Sequence, residues 1–234
     1  EPVKVQQVAD AGDITCKPFS IDEAIKQIEV GATDLLNKVG GIISLGGDHT
    51  IAVPLLRAIN KKCNGPVSLV HFDAHLDTWD TYFGAPYTHG TPFRRAIEED
   101  LIDPKKYVIL GLRGGLYNPD DLNWAIEQGI TIISTDKFYE IGMKETIKII
   151  KDVLEDTSTY FTFDIDGIDP TFAPGTGSPE VGGINVREAQ LIIRHLNSLN
   201  FIGADVVEVS PPFDVNNMTS LVGATIAFEI LCTM

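Results

Sequence analysis

Short runs of apolar residues alternate along the chain with longer segments of helical periodicity. The short runs are rich in Val, Ile and Phe and lack a regular alternation of polar and apolar positions. That pattern is typical of parallel strands that are buried on both faces. We therefore predict six strands, over residues 41–45, 67–72, 107–112, 130–134, 160–164 and 201–209.

Helical patterns lie between these runs. Ser20 with Glu23 forms a capping-box motif that predicts the start of one helix, and Asn185 with Glu188 predicts the start of another. Further helices are expected over residues 119–128, 143–154 and 218–231. Strands that alternate with helices predict a three-layer α/β/α fold around a central, mainly parallel sheet. No repeat, low-complexity tract or linker interrupts the pattern, so a single domain is expected over residues 1–234.

The composition narrows the possible partners. The 234 residues carry a formal net charge of −15, which argues against binding to nucleic acid or to an anionic membrane surface. No apolar run approaches the roughly 20 residues that a membrane-spanning helix needs. Three cysteines give no disulfide framework and fit a reducing compartment, so a cytoplasmic location is expected. The acidic balance would also suit a small cationic substrate.

Two long connections are rich in Gly, Pro, Asp and aromatic residues. They cover residues 74–92 and 166–183, and each follows the carboxyl end of a predicted strand. Long loops within a compact domain are usually functional. Open α/β sheets bind their ligands at the carboxyl ends of the strands. The sequence therefore predicts a functional site at this edge of the sheet.

The first of these loops begins with three potential metal ligands, Asp73, His75 and Asp77. Near-extended backbone would place these alternate positions on one side, so that the side chains converge. Asp164 and Asp166 form a similar pair at the end of another strand. Carboxylates crowded beside an apolar strand repel each other unless a cation neutralises them.

A third motif adds His49, which follows two glycines that allow a tight turn at the end of the first strand. Together the three strand ends supply two histidines and four aspartates, a set that suits Mn²⁺, Fe²⁺, Zn²⁺ or Ni²⁺. Six ligands exceed the need of one catalytic ion that keeps an open position. Two ions that share bridging carboxylates use such a set naturally.

These motifs resemble the arginase–agmatinase family of ureohydrolases. The matching segments are GGDHT (46–50), DAHLD (73–77), HGTPFRRA (89–96), FTFDID (161–166), PGTGSPEVGG (174–183) and VEVSPP (207–212). The resemblance covers nearly the whole chain, and the pair of aspartate-rich motifs is highly specific to the family. It implies a hydrolase that cleaves a small guanidinium compound to urea and an amine.

The resemblance also implies a role for each site residue. Two Mn²⁺ ions are expected, with Ni²⁺ or another divalent transition metal as the alternative. One ion would bind His49, Asp73, Asp77 and Asp164, and the other His75, Asp73, Asp164 and Asp166. His89 matches the histidine of the family that shuttles protons to the leaving nitrogen. Glu208 matches the carboxylate that holds the guanidinium group.

The loop after the metal motif bears on the substrate. Arginases carry an Asn where this chain has Trp79, and an indole cannot accept a hydrogen bond from the amino-acid end of arginine. Agmatine, which would yield putrescine, is therefore the expected substrate, with a guanidino acid such as 4-guanidinobutanoate as the alternative. Asp80 is a candidate partner for the ammonium group of agmatine. Arg113 is a candidate partner for a guanidino-acid carboxylate, or else a support for its loop.

Other interpretations stay open on the sequence. A formiminoglutamate hydrolase, an arginase, a related metal-dependent deacetylase or a non-catalytic homologue would share parts of these motifs. The family resemblance also implies a homo-oligomer, a trimer or hexamer. Compared with the family, the usual N-terminal segment is expected to be lacking.

Overall fold

The six predicted strands form one sheet in a computed structural model, which describes residues 6–116 and 118–234. The strand order is β1-β6-β5-β2-β3-β4, and each neighbouring pair is parallel. The prediction of a mainly parallel sheet is thus confirmed. The strands are β1 (Ile42–Leu45), β2 (Val67–Phe72), β3 (Ile102–Leu112), β4 (Thr131–Ser134), β5 (Ser158–Asp164) and β6 (Asn200–Val207).

Helices cover both faces of the sheet and complete the three layers. They are α1 (Ile21–Leu36), α2 (Ala52–Cys63), α3 (Pro92–Glu98), α4 (Asp120–Gln128), α5 (Thr135–Leu154), α6 (Val186–His195) and α7 (Met218–Leu231). Buried residues of α1 to α4 pack on one face, and those of α5 to α7 pack on the other. Ser20 caps α1, and Asn185 forms the predicted capping box of α6.

Several elements differ from the prediction. Helices α2 and α3 were not predicted, strand β3 begins at Ile102 rather than at residue 107, and the limits of α5 and β6 differ. Helix α2 was not predicted because its first residues are almost all buried, which hides the helical period, and no side chain caps its start. Helix α5 begins at Thr135 rather than at residue 143, because Ser134 caps it and the chain continues through a kink at Gly142. Strand β6 ends at Val207 rather than at residue 209, because Glu208 has a φ of 65°.

The core on the α5–α7 face contains three stacked phenylalanine rings. Phe72 lies on β2, and Phe161 and Phe163 lie on the neighbouring strand β5. The ring centroid of Phe72 is 5.5 Å from that of Phe161 and 5.1 Å from that of Phe163, and all three side chains are fully buried. Offset stacking of this kind adds to the stabilisation that comes from burial of the rings.

The order of the strands places the functional edge. From β2 the chain moves outward to β3 and β4 and then returns to place β5 beside β2. This reversal leaves a crevice between the carboxyl ends of β2 and β5, which is where ligands bind in such sheets. Within the described residues, no helix is both long and apolar enough to cross a membrane.

We expect the substitution Phe161→Ala to lower the free energy of unfolding by about 3–5 kcal/mol, because it leaves a cavity among fixed aromatic rings. The measurement is urea denaturation followed by circular dichroism. Phe19→Ala is the control, since that side chain is 96% exposed and its loss should change stability by only about 0.5 kcal/mol. Equal losses in the two variants would contradict the packing described here.

Candidate metal centre and cavity

Two aspartates lie at the carboxyl ends of the neighbouring strands β2 and β5. Asp73 follows β2 directly, and Asp164 is the last residue of β5. Both are buried, with exposed fractions of 0% and 2%. Asp73 N–H donates to the carbonyl of Leu110, and Asp166 N–H donates to a carboxylate oxygen of Asp164. The backbone therefore fixes both carboxylates at the crevice where the strand order reverses.

His49 reaches this crevice from a short 3₁₀ helix, His49–Ile51, which the carboxylate of Asp48 caps. Its Nδ1 atom lies 2.9 Å from Asp77 Oδ2 and 3.4 Å from an oxygen of both Asp73 and Asp164. The imidazole is fully buried. The carboxylates of Asp73, Asp77 and Asp164, three of the predicted ligands, thus surround Nδ1 of His49.

A second group forms around His75. Its Nδ1 atom lies 3.1 Å from Asp166 Oδ2 and 3.5 Å from Asp73 Oδ1. The residues between Asp73 and Asp77 do not continue the strand as expected, and Asp77 has a φ of 50°. The side chains therefore converge through a turn with a left-handed residue, and not through extended backbone.

The two groups fit two metal ions. The first consists of His49, Asp73, Asp77 and Asp164, and the second of Asp73, His75 and Asp166. Among the described residues, His49 Nδ1 has no hydrogen-bond partner despite its burial and its close carboxylates. A buried nitrogen in this position suits a metal bond, since neutral imidazole and carboxylate are common ligands of divalent transition metals.

Asp73 belongs to both groups, and its two oxygens face different histidines. Oδ2 lies on the His49 side, while Oδ1 lies on the His75 side and accepts a hydrogen bond from His75 N–H. This arrangement fits the predicted bridge. Asp164 appears only in the first group, so the second bridge stays a prediction.

The pKa values within the cluster show its electrostatic strain. Burial, with a contribution from the charge of Asp73, raises the pKa of Asp77 to about 7. Burial also raises the pKa of Asp164, and the nearby carboxylates of Asp166 and Asp73 raise it further. Burial would lower the pKa of His49, but the surrounding carboxylates outweigh that effect and raise it. Cations in the cluster would remove the conflict between these charges.

His71 also contacts the cluster, although it was not among the predicted ligands. Its Nε2 atom lies 2.6 Å from Asp73 Oδ2, and its Nδ1 atom lies 2.8 Å from the hydroxyl of Tyr107. Because a carboxylate only accepts, Nε2–H donates to Asp73 and Nδ1 accepts from Tyr107. Burial lowers the pKa of His71 to about 4, which agrees with a neutral ring. The sequence signal was its position, two residues before Asp73 on the same strand.

A cavity of about 300 Å³ opens beside the two groups. Glu208 and His89 line it, as do residues from both long loops; the full lining is His75, Asp77, Trp79, Tyr82, His89, Gly115, Leu116, Asp164, Asp166, Ser178, Glu180 and Glu208. The structure therefore brings together the predicted metal ligands with Trp79, His89 and Glu208: His49 and Asp73 lie in the first group, and the others line the cavity.

Glu208 follows β6 and faces the cavity. Its φ of 65° is in the left-handed region, and its Oε1 atom accepts a hydrogen bond of 2.8 Å from His49 N–H. Burial raises the pKa of Glu208 to about 7. No arginine or lysine side chain pairs with it within the described parts of the chain. A buried carboxylate of this kind is suited to a cationic ligand.

Part of the cavity lining is aromatic. The ring of Tyr82 packs against Trp79 at 5.0 Å and edge-on against His89 at 5.2 Å. Gly90 allows this packing, because a Cβ atom there would lie 2.4 Å from the indole ring. Burial lowers the pKa of His89, which favours a neutral imidazole beside the cavity.

Two side chains proposed to bind the far end of the substrate have other partners. Arg113 donates hydrogen bonds to backbone carbonyls, including those of Gly111, Asp166 and Glu180, so it joins two loops and supports them. Asp80 accepts a hydrogen bond of 2.9 Å from Arg95 and does not line the cavity. Neither interpretation as a substrate-binding residue is supported.

The chain belongs to the arginase family. The family model described as "Arginase family" matches residues 1–233. The fold agrees with this assignment, since proclavaminate amidino hydrolase from Streptomyces clavuligerus superimposes with a TM-score of 0.96 at 38% identity. That match covers 99% of this chain and 77% of the other. The chain is thus a hydrolase of this family, as the motifs predicted.

Relatives that are named for different activities match almost the whole chain. The chain is 47% identical to a guanidinopropionase of Pseudomonas aeruginosa, over 100% of this chain and 73% of that protein. It is 41% identical to an agmatinase of Neisseria meningitidis, over 96% of this chain and 69% of that protein. The family is therefore clear, while these names alone leave the substrate open.

We expect the metal-free protein to bind two Mn²⁺ ions per chain, and Asp73→Ala to lose both because Asp73 belongs to both groups. His49→Ala should mainly weaken one ion, because the second group does not include that side chain. Isothermal titration calorimetry and metal analysis after desalting give the stoichiometry.

Asp152→Asn is the control for removal of a carboxylate, since Asp152 is exposed and pairs with Lys148 on α5. It should bind both ions like the unaltered protein. A stoichiometry of at most one tightly bound ion at saturation would contradict the two-ion centre.

Proposed function

We propose that the chain hydrolyses a linear guanidino compound to urea and a primary amine at a two-metal centre. One observation carries the proposal: two overlapping ligand groups share Asp73 and open into the same cavity as the carboxylate of Glu208. Manganese is the proposed metal, with nickel or another divalent transition ion as the alternative. Two bound cations would lower the pKa of water, so that the attacking nucleophile forms at neutral pH.

Glu208 binds the guanidinium group in this proposal. His49 N–H holds one oxygen of the carboxylate, and the other oxygen lies close to Gly177, where a Cβ atom would come within 3.9 Å of it. A charge-assisted hydrogen bond to guanidinium is stronger than a neutral one and orients the plane of the group.

His89 supplies the proton for the leaving nitrogen. It lines the cavity with Glu208, and its ring is held in place by the edge-on contact with Tyr82. An imidazole can take up a proton on one ring nitrogen and pass it on, which suits a proton shuttle to the leaving group. Without that proton the amine would have to leave as an anion, which is an unfavourable leaving group.

The walls of the cavity favour agmatine as substrate. Within the described residues the lining contains no lysine or arginine, while Glu180 adds a further carboxylate. The α-carboxylate of arginine would therefore lose its hydration without gaining a cationic partner, which is costly. Trp79 offers an apolar surface to the methylene chain of the substrate, and its aromatic face is compatible with a distal ammonium group.

A guanidino acid is the second candidate. The 47% identity to a guanidinopropionase supports it. Such a substrate would need a cation near its carboxylate, and Arg113 is committed to backbone carbonyls. On the described residues alone, the charge of the cavity thus favours agmatine, whereas the relative favours a guanidino acid.

We expect Glu208→Gln to keep both metal ions but to lose at least about 10²-fold in kcat/KM, since the amide cannot form the charge-assisted pair. Its Oε1 atom can still accept from His49 N–H, which preserves the local structure. The assay is urea release from agmatine in the presence of Mn²⁺, with metal content measured in parallel. Glu127→Gln on α4 is a control for loss of a glutamate away from the cavity. Turnover like that of the unaltered enzyme would exclude Glu208 as the guanidinium-binding residue.

Arginine should be a poorer substrate than agmatine by roughly 10²-fold or more in kcat/KM, about 3 kcal/mol, because the described lining offers its α-carboxylate no cationic partner. Urea release from agmatine, 3-guanidinopropanoate, 4-guanidinobutanoate and arginine at equal concentration measures the order. A guanidino acid as the best substrate would select the second candidate. Arginine as the best would contradict the specificity argument and leave the metal centre intact.

A further inference from the structure

Four polar residues form a row across one face of the sheet. Two of them, His71 and Thr162, lie two residues before Asp73 and Asp164 on their strands. The strand register aligns Ser44 on β1 with Asp205 on β6, Asp205 with Thr162 on β5, and Thr162 with His71 on β2. Asp205, Thr162 and His71 have an exposed fraction of 0%. An aspartate in the middle of a buried parallel sheet is costly unless its carboxylate has specific partners.

Two hydroxyl groups donate to this carboxylate. Thr162 Oγ1 lies 2.6 Å from Asp205 Oδ1, and the hydroxyl of Tyr160 lies 2.7 Å from Asp205 Oδ2. The same Oγ1 atom of Thr162 lies 2.7 Å from His49 Nε2. A continuous chain of hydrogen bonds therefore leads from Asp205 through Thr162 to the imidazole of His49.

The direction of each hydrogen bond in this chain follows from the number of protons available. A threonine hydroxyl has one proton, and Thr162 donates it to Asp205. The oxygen of Thr162 can then only accept from His49, so Nε2 must carry a proton. In the neutral ring Nδ1 is left bare, and that nitrogen faces the oxygens of Asp73, Asp77 and Asp164.

We propose that Asp205 is a positioning residue for the metal centre. It acts through Thr162 to hold His49 in the tautomer whose Nδ1 carries no proton, so that this nitrogen is available to an ion in the first ligand group. This inference deepens the proposed function and rests on its two-metal centre. A hydrogen bond to the second ring nitrogen of a metal-binding histidine fixes both its tautomer and its ring orientation. The role accounts for a buried charge that packing alone does not explain.

The decisive variant is Thr162→Val, which removes the link between Asp205 and His49 and nearly preserves the side-chain shape. Mn²⁺ binding to the metal-free protein should weaken about 10- to 100-fold at one of two sites, as is typical when the hydrogen bond that orients a metal-binding histidine is lost. The other ion should be bound nearly as before, because Asp73, His75 and Asp166 do not contact Thr162 in this chain of hydrogen bonds. Calorimetric titration resolves the two affinities.

Two further variants separate positioning from a general structural effect. Thr162→Ser keeps the hydroxyl and should restore binding at the weakened site. Thr159→Val is the matched control on the same strand: Thr159 is also fully buried, but its hydroxyl donates to the carbonyl of Thr157 and takes no part in this chain. It should bind both ions like the unaltered protein.

The tautomer can also be observed directly. With ¹⁵N-labelled histidine and Zn²⁺ as a diamagnetic probe, the loaded protein should show a slowly exchanging N–H proton on Nε2 of His49. That signal should remain in Thr159→Val and be lost or exchange rapidly in Thr162→Val. Asp205→Asn should shift it as well, and if that variant does not fold, Thr162→Val still tests the link.

Two Mn²⁺ ions bound by Thr162→Val as tightly as by Thr159→Val would overturn the positioning role, even if the enzyme hydrolyses a guanidino compound. Equal weakening in both variants would also overturn it, because the effect would then come from a lost buried hydroxyl. Selective weakening without any urea release would support the positioning role and contradict the proposed function. Absence of metal binding in the unaltered protein would contradict both.

Discussion

The repulsion among buried carboxylates at one edge of the sheet is the constraint on which the rest of this structure depends. Asp73 and Asp164 end neighbouring strands, and Asp77 and Asp166 approach from the loops that follow. Burial removes the water that would screen these charges, so their stability as anions requires nearby cations or donors. Backbone N–H groups and the ring N–H of His71 supply donors to these carboxylates, and the proposed metal ions would supply the cations.

The parallel sheet and the clustering of the candidate ligands could be predicted because their signals are local. Apolar runs indicated the strands, and Asp73, His75 and Asp164 lie in motifs beside strand ends. Helix α2 gave no periodic signal because its first residues are almost all buried. Asp77 was predicted as a ligand for the wrong geometric reason, since its left-handed φ cannot be read from an aspartate in a loop. The identity of the ligands was thus easier to predict than the path of the backbone.

The residues that sequence reasoning missed act between strands. His71 was not among the predicted ligands, yet it joins Tyr107 of β3 to Asp73. Asp205 belongs to none of the sequence motifs, although it lies beside Thr162 in the register of β5 and β6. These partners are far apart along the chain, and only the alignment of parallel strands brings them into contact. Hydrogen-bond networks beneath a site therefore need the structure, whereas ligands at strand ends do not.

Two backbone positions show how the site depends on conformations that the residues themselves disfavour. Asp77 and Glu208 both have a positive φ, at 50° and 65°, and neither is a glycine. Such residues cost of order 1–3 kcal/mol and persist where the surrounding structure determines them. The backbone of Asp77 is held because its carbonyl accepts from Phe93 N–H, and that of Glu208 because its own N–H donates to the carbonyl of Gly47. One strained residue turns its carboxylate towards His49 in the metal centre and the other into the cavity, so the fold orients the acidic groups before any ligand arrives.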